Sequence, residues 1–251
     1  MNGIKAVAGL LFKPVPHCLI CGNAVASAGY PFCENCSSAY SKLINKPCRE
    51  CGKQVWNCGC VEVPPCIKYY RLFEYEGDVA PFIIYRLKQY SEPVDYLLIA
   101  RRLKQRIRYT SGNVAFDCVC YVPRNKKGIN RYGFDHARFL GEALARLFDV
   151  PCKKLLAHTG VKGEQKRLSK MYRGFAAKTR FEIYKDALKD GKLPYKRVLL
   201  ADDIVTTGNT MGECARILMS CGVKQVFGVS IGHTPRKDNN RRWKIENGRS
   251  F

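Results

Sequence analysis

The sequence predicts an α/β fold: an open, mainly parallel sheet with helices on both faces, preceded by a small cysteine-rich module. Three observations carry that expectation. The run Val198-Leu199-Leu200-Ala201 is apolar at each position, as a strand buried on both sides must be. Around it, strand-like and helix-like stretches alternate, which is the order that winds a parallel sheet between helices. Nine of the 14 cysteines precede residue 67. That step in composition, near Pro64-Pro65, divides the chain into a module over 1–66 and a larger domain over 67–251 that ends in a basic tail.

Taken in order, residues 1 to about 66 are loop-rich and broken by Gly and Pro. The opening MNGIKAVAGLLFKP is too short to span a bilayer and lacks a convincing cleavage site. It reads as a segment docking on the body, and the protein is expected to be cytoplasmic. A strand follows over Lys68 to Tyr75. The next stretch reads as an amphipathic helix with Val79, Phe82, Ile83 and Leu87 on one face. Pro93 is placed to open a second helix, carrying Leu97, Leu98, Ala100 and Leu103. Phe116 to Val122 is a short strand stopped by Pro123. Asp135 to Phe148 has helical spacing, with Phe139, Ala143, Leu144 and Leu147 as its stripe. Residues 160–175 are polar and basic and read as a long surface loop, or as a lid in which Gln165 and Arg173 close over substrate. Arg197 to Ala201 is the buried strand, Thr210 to Ser220 a helix ended by Gly222, and Gln225 to Ile231 a last strand. No internal repeat is visible.

Forty-three Lys and Arg against 21 Asp and Glu give a formal charge of +22, a field that attracts polyanions. The excess is uneven: nine basic residues and one acid, Asp117, lie between Arg101 and Arg131. Solubility alone does not account for a charge of that size. Nucleic acid, phosphorylated metabolites or acidic proteins are the partner classes it suits.

The chemistry concentrates in Val198 to Thr210. At the carboxyl end of the buried strand, where open α/β sheets bind ligands, stand Asp202 and Asp203. Thr206, Thr207, Gly208, Asn209 and Thr210 then open a helix. Gly208 lets the backbone close on a phosphate, while hydroxyls, amide N–H groups and the helix N-terminus favour its charge. Two carboxylates for vicinal hydroxyls beside a phosphate cradle describe a ribose 5-phosphate site.

The second concentration is Cys18, Cys21, Cys33, Cys36, Cys48, Cys51, Cys58 and Cys60. A C-x-x-C turn brings two thiolates to one metal, and two such turns complete a tetrahedral S4 site, so structural Zn2+ is expected. Disulfides are the alternative, disfavoured in a chain read as cytoplasmic. The first four cysteines read as one site and the second four as another; spacing leaves open a cross-brace of 18/21 with 48/51, and leaves open the replacement of one of the later ligands by Cys66. Cys118, Cys120, Cys152, Cys214 and Cys221 read as small core residues. Trp56 reads as a packing residue, with stacking on a base as its alternative.

Val198 to Thr210 resembles the 5-phosphoribosyl 1-diphosphate (PRPP) motif of type I phosphoribosyltransferases. With the cysteine module in front, the chain resembles the ComF family, competence-associated proteins whose domain is of the amidophosphoribosyltransferase-like type. The resemblance runs from Cys18 to Ile231 and takes in Tyr75 to Lys88, Gly133-Phe134, and Gln165, Leu168, Ser169 and Arg173. It implies a type I phosphoribosyltransferase fold and assigns Asp202 and Asp203 to ribose. Residues Thr206, Thr207, Gly208, Asn209 and Thr210 go to the 5-phosphate, with Mg2+ accompanying PRPP. Tyr121-Val122-Pro123-Arg124 and the turn after it resemble the diphosphate loop, which makes Arg124 and Lys127 the catalytic candidates. Three functions follow from the resemblance: phosphoribosyl transfer to an unidentified acceptor, a non-catalytic single-stranded DNA-binding competence factor, or a PRPP-sensing regulator. Competence or recombination proteins would be the partners.

Overall fold

The computed structural model describes residues 17–25, 31–48, 51–89, 93–125, 134–159 and 180–235. The N-terminal segment, Lys127, Gly133, the 160–175 loop with Gln165 and Arg173, and the basic tail lie outside them. In chain order the elements are α1 (Glu34–Ile44), β1 (Lys68–Glu74), α2 (Val79–Gln89), α3 (Pro93–Ser111) and β2 (Cys118–Tyr121). Then come α4 (His136–Phe148), β3 (Leu156–His158), β4 (Phe181–Ile183), β5 (Arg197–Val205), α5 (Asn209–Ser220) and β6 (Gln225–His233).

Four of the strands form one sheet in the order β1-β6-β5-β2, every neighbouring pair parallel. β5 is central because both of its faces are apolar. Leu199 and Ala201 join the helices α2, α3 and α4 on one side, whereas Val198 and Leu200 join α5 on the other. β2 divides in the same way, Val119 facing the first layer and Cys118 and Cys120 the second. This is the predicted parallel sheet with helices on both faces. The short antiparallel pair β3-β4, which the sequence reading does not anticipate, packs against α5. Among the described residues no helix is long and apolar enough to cross a membrane.

Two local expectations are corrected. α2 buries Ala80, Ile83, Ile84 and Leu87, and Phe82 lies 55% exposed, so the apolar face is rotated away from the one read from the spacing. β5 is longer than Arg197 to Ala201: the parallel ladder with β6 continues through Asp202–Ser230 and Ile204–Gly232 to Val205–His233. The two acids therefore stand within a paired strand, not on a loose turn beyond it. The thiols of Cys118, Cys120, Cys214 and Cys221 are buried in the core as expected, and Cys152 is half-buried.

Candidate functional site

The turn from β5 to α5 sets the geometry. Gly208 is the N-cap of α5 and has φ 79°, a left-handed conformation that side chains with a Cβ rarely take. Thr207 Oγ1 accepts from the Asn209 amide at 3.4 Å. A small open cleft lies over this turn, lined by Asp202, Ile204, Val205, Thr206, Gly208, Asn209, Thr210 and Met211. The residues proposed from sequence for phosphate thus come together around one helix N-terminus, Thr207 lying beside the cleft lining. A cation is present there too: Arg180, just before β4, donates from Nη2 to Thr210 Oγ1 at 3.3 Å, and its amide donates to Glu213 Oε1 at 2.7 Å.

Asp202 and Asp203 share a strand but not an environment, since successive side chains point to opposite faces. Asp202 lines the cleft, and its Oδ1 accepts from the Asp203 amide at 2.8 Å. Asp203 is buried, and its Oδ2 meets Arg124 Nη2 at 2.5 Å and Lys88 Nζ at 2.9 Å. Burial would raise the Asp203 carboxyl, but these two cations outweigh it and hold it below the usual carboxylate range. Burial first, and then the neighbouring Asp203 charge, push Asp202 well above that range. Close by, Tyr96 of α3 donates to the Leu87 carbonyl at 3.1 Å and lies 2.8 Å from His136 Nδ1. With the phenol proton spent on Leu87, Nδ1 of a neutral His136 is the donor in that second contact. Burial, then the Arg124 charge, push His136 down to about 4. Arg124 was legible in the sequence as a cation leaving β2; Lys88 was noted only as the lysine that ends the Tyr75 to Lys88 pattern, with no role given to it, and Arg180 was missed.

The eight module cysteines gather into two groups, Cys18, Cys21, Cys33, Cys36 and Cys48, Cys51, Cys58, Cys60, each with its sulfurs within 4.8 Å of one another. The pairing is sequential, not cross-braced, and Cys66 stands apart, its sulfur 3.5 Å from where a Cβ on Gly228 would sit. Both groups begin with the same turn. Gly22 and Gly52, at positive φ, return their amides to the carbonyls of Cys18 and Cys48 at 2.9 and 2.8 Å. Metal–sulfur bonds of about 2.3 Å in a tetrahedron would set the sulfurs about 3.8 Å apart. Cys21 and Cys33 lie at 3.7 Å, Cys48 and Cys60 at 3.5 Å, Cys51 and Cys58 at 3.5 Å. All eight are free thiols, so both sets can hold a metal ion of the S4-binding kind.

The two groups attach differently. The first shares the core of the helices: Cys18, Leu19, Val25, Phe32 and Tyr40 are buried with residues of α2 and α3. The second sits on β1, where the buried Arg71 donates from Nη2 to Cys48 Sγ at 3.2 Å and to Cys58 Sγ at 3.5 Å and pairs with Glu74 at 3.5 Å. From Cys60 the chain runs directly to the β5–α5 turn. A Cβ on Gly208 would meet Val63 Cγ2 at 3.2 Å, and one on Gly212 would meet the Pro64 carbonyl oxygen at 2.5 Å.

Comparison with known proteins adds a lineage. Over 108 residues the chain is 33% identical to "Competence protein F" of Haemophilus influenzae, covering 40% of this chain and 44% of that protein. It is 26% identical over 225 residues to "DNA utilization protein YhgH" of Escherichia coli strain K12, covering 83% of this chain and 93% of that one. The chain is a homologue of these two proteins. The stretch shared with competence protein F thus spans less than half of that relative. No family model matches the chain. Among solved structures, glutamine PRPP amidotransferase from B. subtilis, complexed with ADP and GMP, overlaps 59% of this chain and 30% of its own at a TM-score of 0.38 and 15% identity.

Proposed function

We propose that this competence-protein homologue binds PRPP. In this reading Asp202 and Asp203 serve the ribose hydroxyls, and Thr206, Thr207, Gly208, Asn209 and Thr210 cradle the 5-phosphate. The observation that carries the reading is the β5–α5 turn, where a left-handed Gly208 starts a helix beside a cleft lined by a carboxylate and two threonines. That geometry offers amide N–H groups and a positive helix end to a phosphate. Arg124, on Asp203, is the cation placed to stabilise charge developing on a departing diphosphate, and Lys127 is the second cation that the sequence assigns to that role. Group transfer at such a site joins an acceptor nucleophile to ribose C1 as the C1–O bond breaks, the electron pair leaving on diphosphate. Mg2+ would neutralise part of the diphosphate charge when bound. Asp202, which lines the cleft, is the carboxylate that would hold it, giving up its proton as the ion binds, whereas Asp203 Oδ2 faces two cations. Zinc is the metal assigned to both cysteine groups, in a structural role, since four sulfurs leave no open position.

Calorimetry with PRPP and Mg2+ tests the reading: a saturable heat and a raised melting temperature are expected, and Gly208→Ala should weaken both. Neither signal at millimolar PRPP overturns it. Metal analysis should return about two zinc equivalents per chain, one for each S4 group; less than one, with normal folding, removes the zinc assignment.

A second reading, contact with single-stranded DNA, is favoured by the outer face of α3. Arg101, Arg102 and Arg108 are exposed there beside Tyr109, itself 69% exposed, so cations and a stacking surface lie on one helix. Affinity for an oligonucleotide should fall steeply between 50 and about 200 mM salt as counterions compete. An affinity unchanged over that range excludes the contact.

A further inference from the structure

Lys88 holds a position that helix seating does not explain. α2 is already fixed to the core by Ala80, Ile83, Ile84 and Leu87, all buried, and by the Tyr96 hydroxyl on the Leu87 carbonyl. Lys88 follows on the last turn and reaches across to the sheet, placing Nζ 2.9 Å from Asp203 Oδ2. The same oxygen takes Arg124 Nη2 at 2.5 Å. Two cations from separate elements are thereby forced together on one atom, an arrangement that like-charge repulsion opposes unless a further anion is shared. An ammonium has three donors and no acceptor. Among the described residues Asp203 is the one hydrogen-bond partner of Lys88, so donors remain to be used, and both cations are 21% exposed while Asp203 is 9%. Asp202 and Asp135 lie near enough to support the Arg124 charge, but among the described residues neither pairs with Lys88. Asp135 Oδ1 accepts from the Arg138 amide at the start of α4, and His136 is pushed to the neutral side by burial.

We infer that Lys88 is a diphosphate-binding residue: with Arg124 it forms a two-cation site, anchored on Asp203, for the diphosphate of PRPP. The inference rests on the PRPP reading of the β5–α5 region and adds a residue from α2 to it. Besides the ribose contact assigned to it, Asp203 then acts through Oδ2 as an anchor that holds both cations in place before the ligand arrives. A diphosphate carries several anionic oxygens within reach of two neighbouring cations, whereas a single carboxylate oxygen can only be shared between them.

The test uses the full chain loaded with zinc and three probes: Mg-PRPP, inorganic diphosphate and ribose 5-phosphate. Lys88→Met should weaken PRPP and diphosphate binding by about 10- to 100-fold, as expected for a charged hydrogen bond lost from a partly buried site. Ribose 5-phosphate binding should change less than about threefold, because it lacks the group Lys88 holds. Lys88→Arg should restore most of the affinity. Lys88→Gln keeps a hydrogen bond to Asp203, guards against misfolding, and should lose diphosphate binding like Lys88→Met. If the wild type binds PRPP and both neutral variants bind diphosphate as tightly, the inference is wrong and the PRPP reading stands. A parallel loss of ribose 5-phosphate affinity would make Lys88 a structural tie, also against the inference. If the wild type binds none of the three probes, the PRPP reading itself falls.

Discussion

The two cysteine groups begin with the same C-x-x-C-Gly turn and are tied to the rest of the chain by different forces. The first sits in apolar surroundings, packed by Leu19, Phe32 and Tyr40 against the helix layer. The second is wired by charge and by backbone contact: Arg71 binds two of its sulfurs from β1, and Val63-Pro64 leave it to press on Gly208 and Gly212. The first group is therefore a staple for the helices. The second is part of the wall of the β5–α5 turn. Identical local chemistry has unequal functional reach because of what each group touches, not because of what each group binds.

The largest effect that separates them should come from deleting one ligand on each side. Cys58→Ser and Cys21→Ser should each lower the zinc content by about one equivalent, and structural zinc contributes about 10–16 kcal/mol to its site. PRPP affinity, by titration, should collapse in Cys58→Ser and change only a few-fold in Cys21→Ser. Equal losses would erase the distinction drawn above. Next is Arg71→Met, which removes the buried cation that binds two sulfurs and pairs with Glu74, and should destabilise by about 3–5 kcal/mol in chemical denaturation. A change below about 1 kcal/mol would mean that the second group is held by something other than charge.

The helix side has its own signature in acid. His136 is pushed down to about 4 by burial and by Arg124, so between that value and about 6.5 the unfolded chain binds a proton that the folded chain refuses. Stability is full above about 6.5 and declines toward pH 4, by about 3 kcal/mol over the window. His136→Gln should flatten that decline, and an unaltered profile would refute the assignment. The smallest effect is expected at the contact itself. Gly212→Ala puts a Cβ 2.5 Å from the Pro64 oxygen and should cost about 1–3 kcal/mol, with weaker PRPP binding and unchanged zinc at the first group.

What could be read from the sequence was whatever is local. β5, its two acids and the helix start at Gly208 occupy consecutive positions, and the C-x-x-C turns announce their ligands. Their order along the chain also implied the parallel sheet. The parts missed are pairings between distant positions. Lys88 meets Asp203, Arg71 meets Cys48 and Arg180 meets Thr210, and no spacing rule links the members of those pairs. Phe82 was misplaced because α2 has apolar residues on more than one side, so helical periodicity alone did not fix which side faces the sheet. The sequential grouping of the cysteines was legible as the simpler reading and is the one found, but excluding a cross-brace needed sulfur positions, and spacing carries none.

Val63 and Pro64 bear on how such a chain can be rebuilt. Grafting the front of one relative onto the back of another joins two lineages at a chosen residue, and the natural choice is the change in composition near Cys66. A crossover there would give the β5–α5 turn of one parent the Val63-Pro64 rail of the other, at a contact where Gly208 and Gly212 leave no room for a misfit. Crossing over between Cys60 and Val61 keeps rail and turn from the same parent, and should yield the larger share of ligand-binding hybrids.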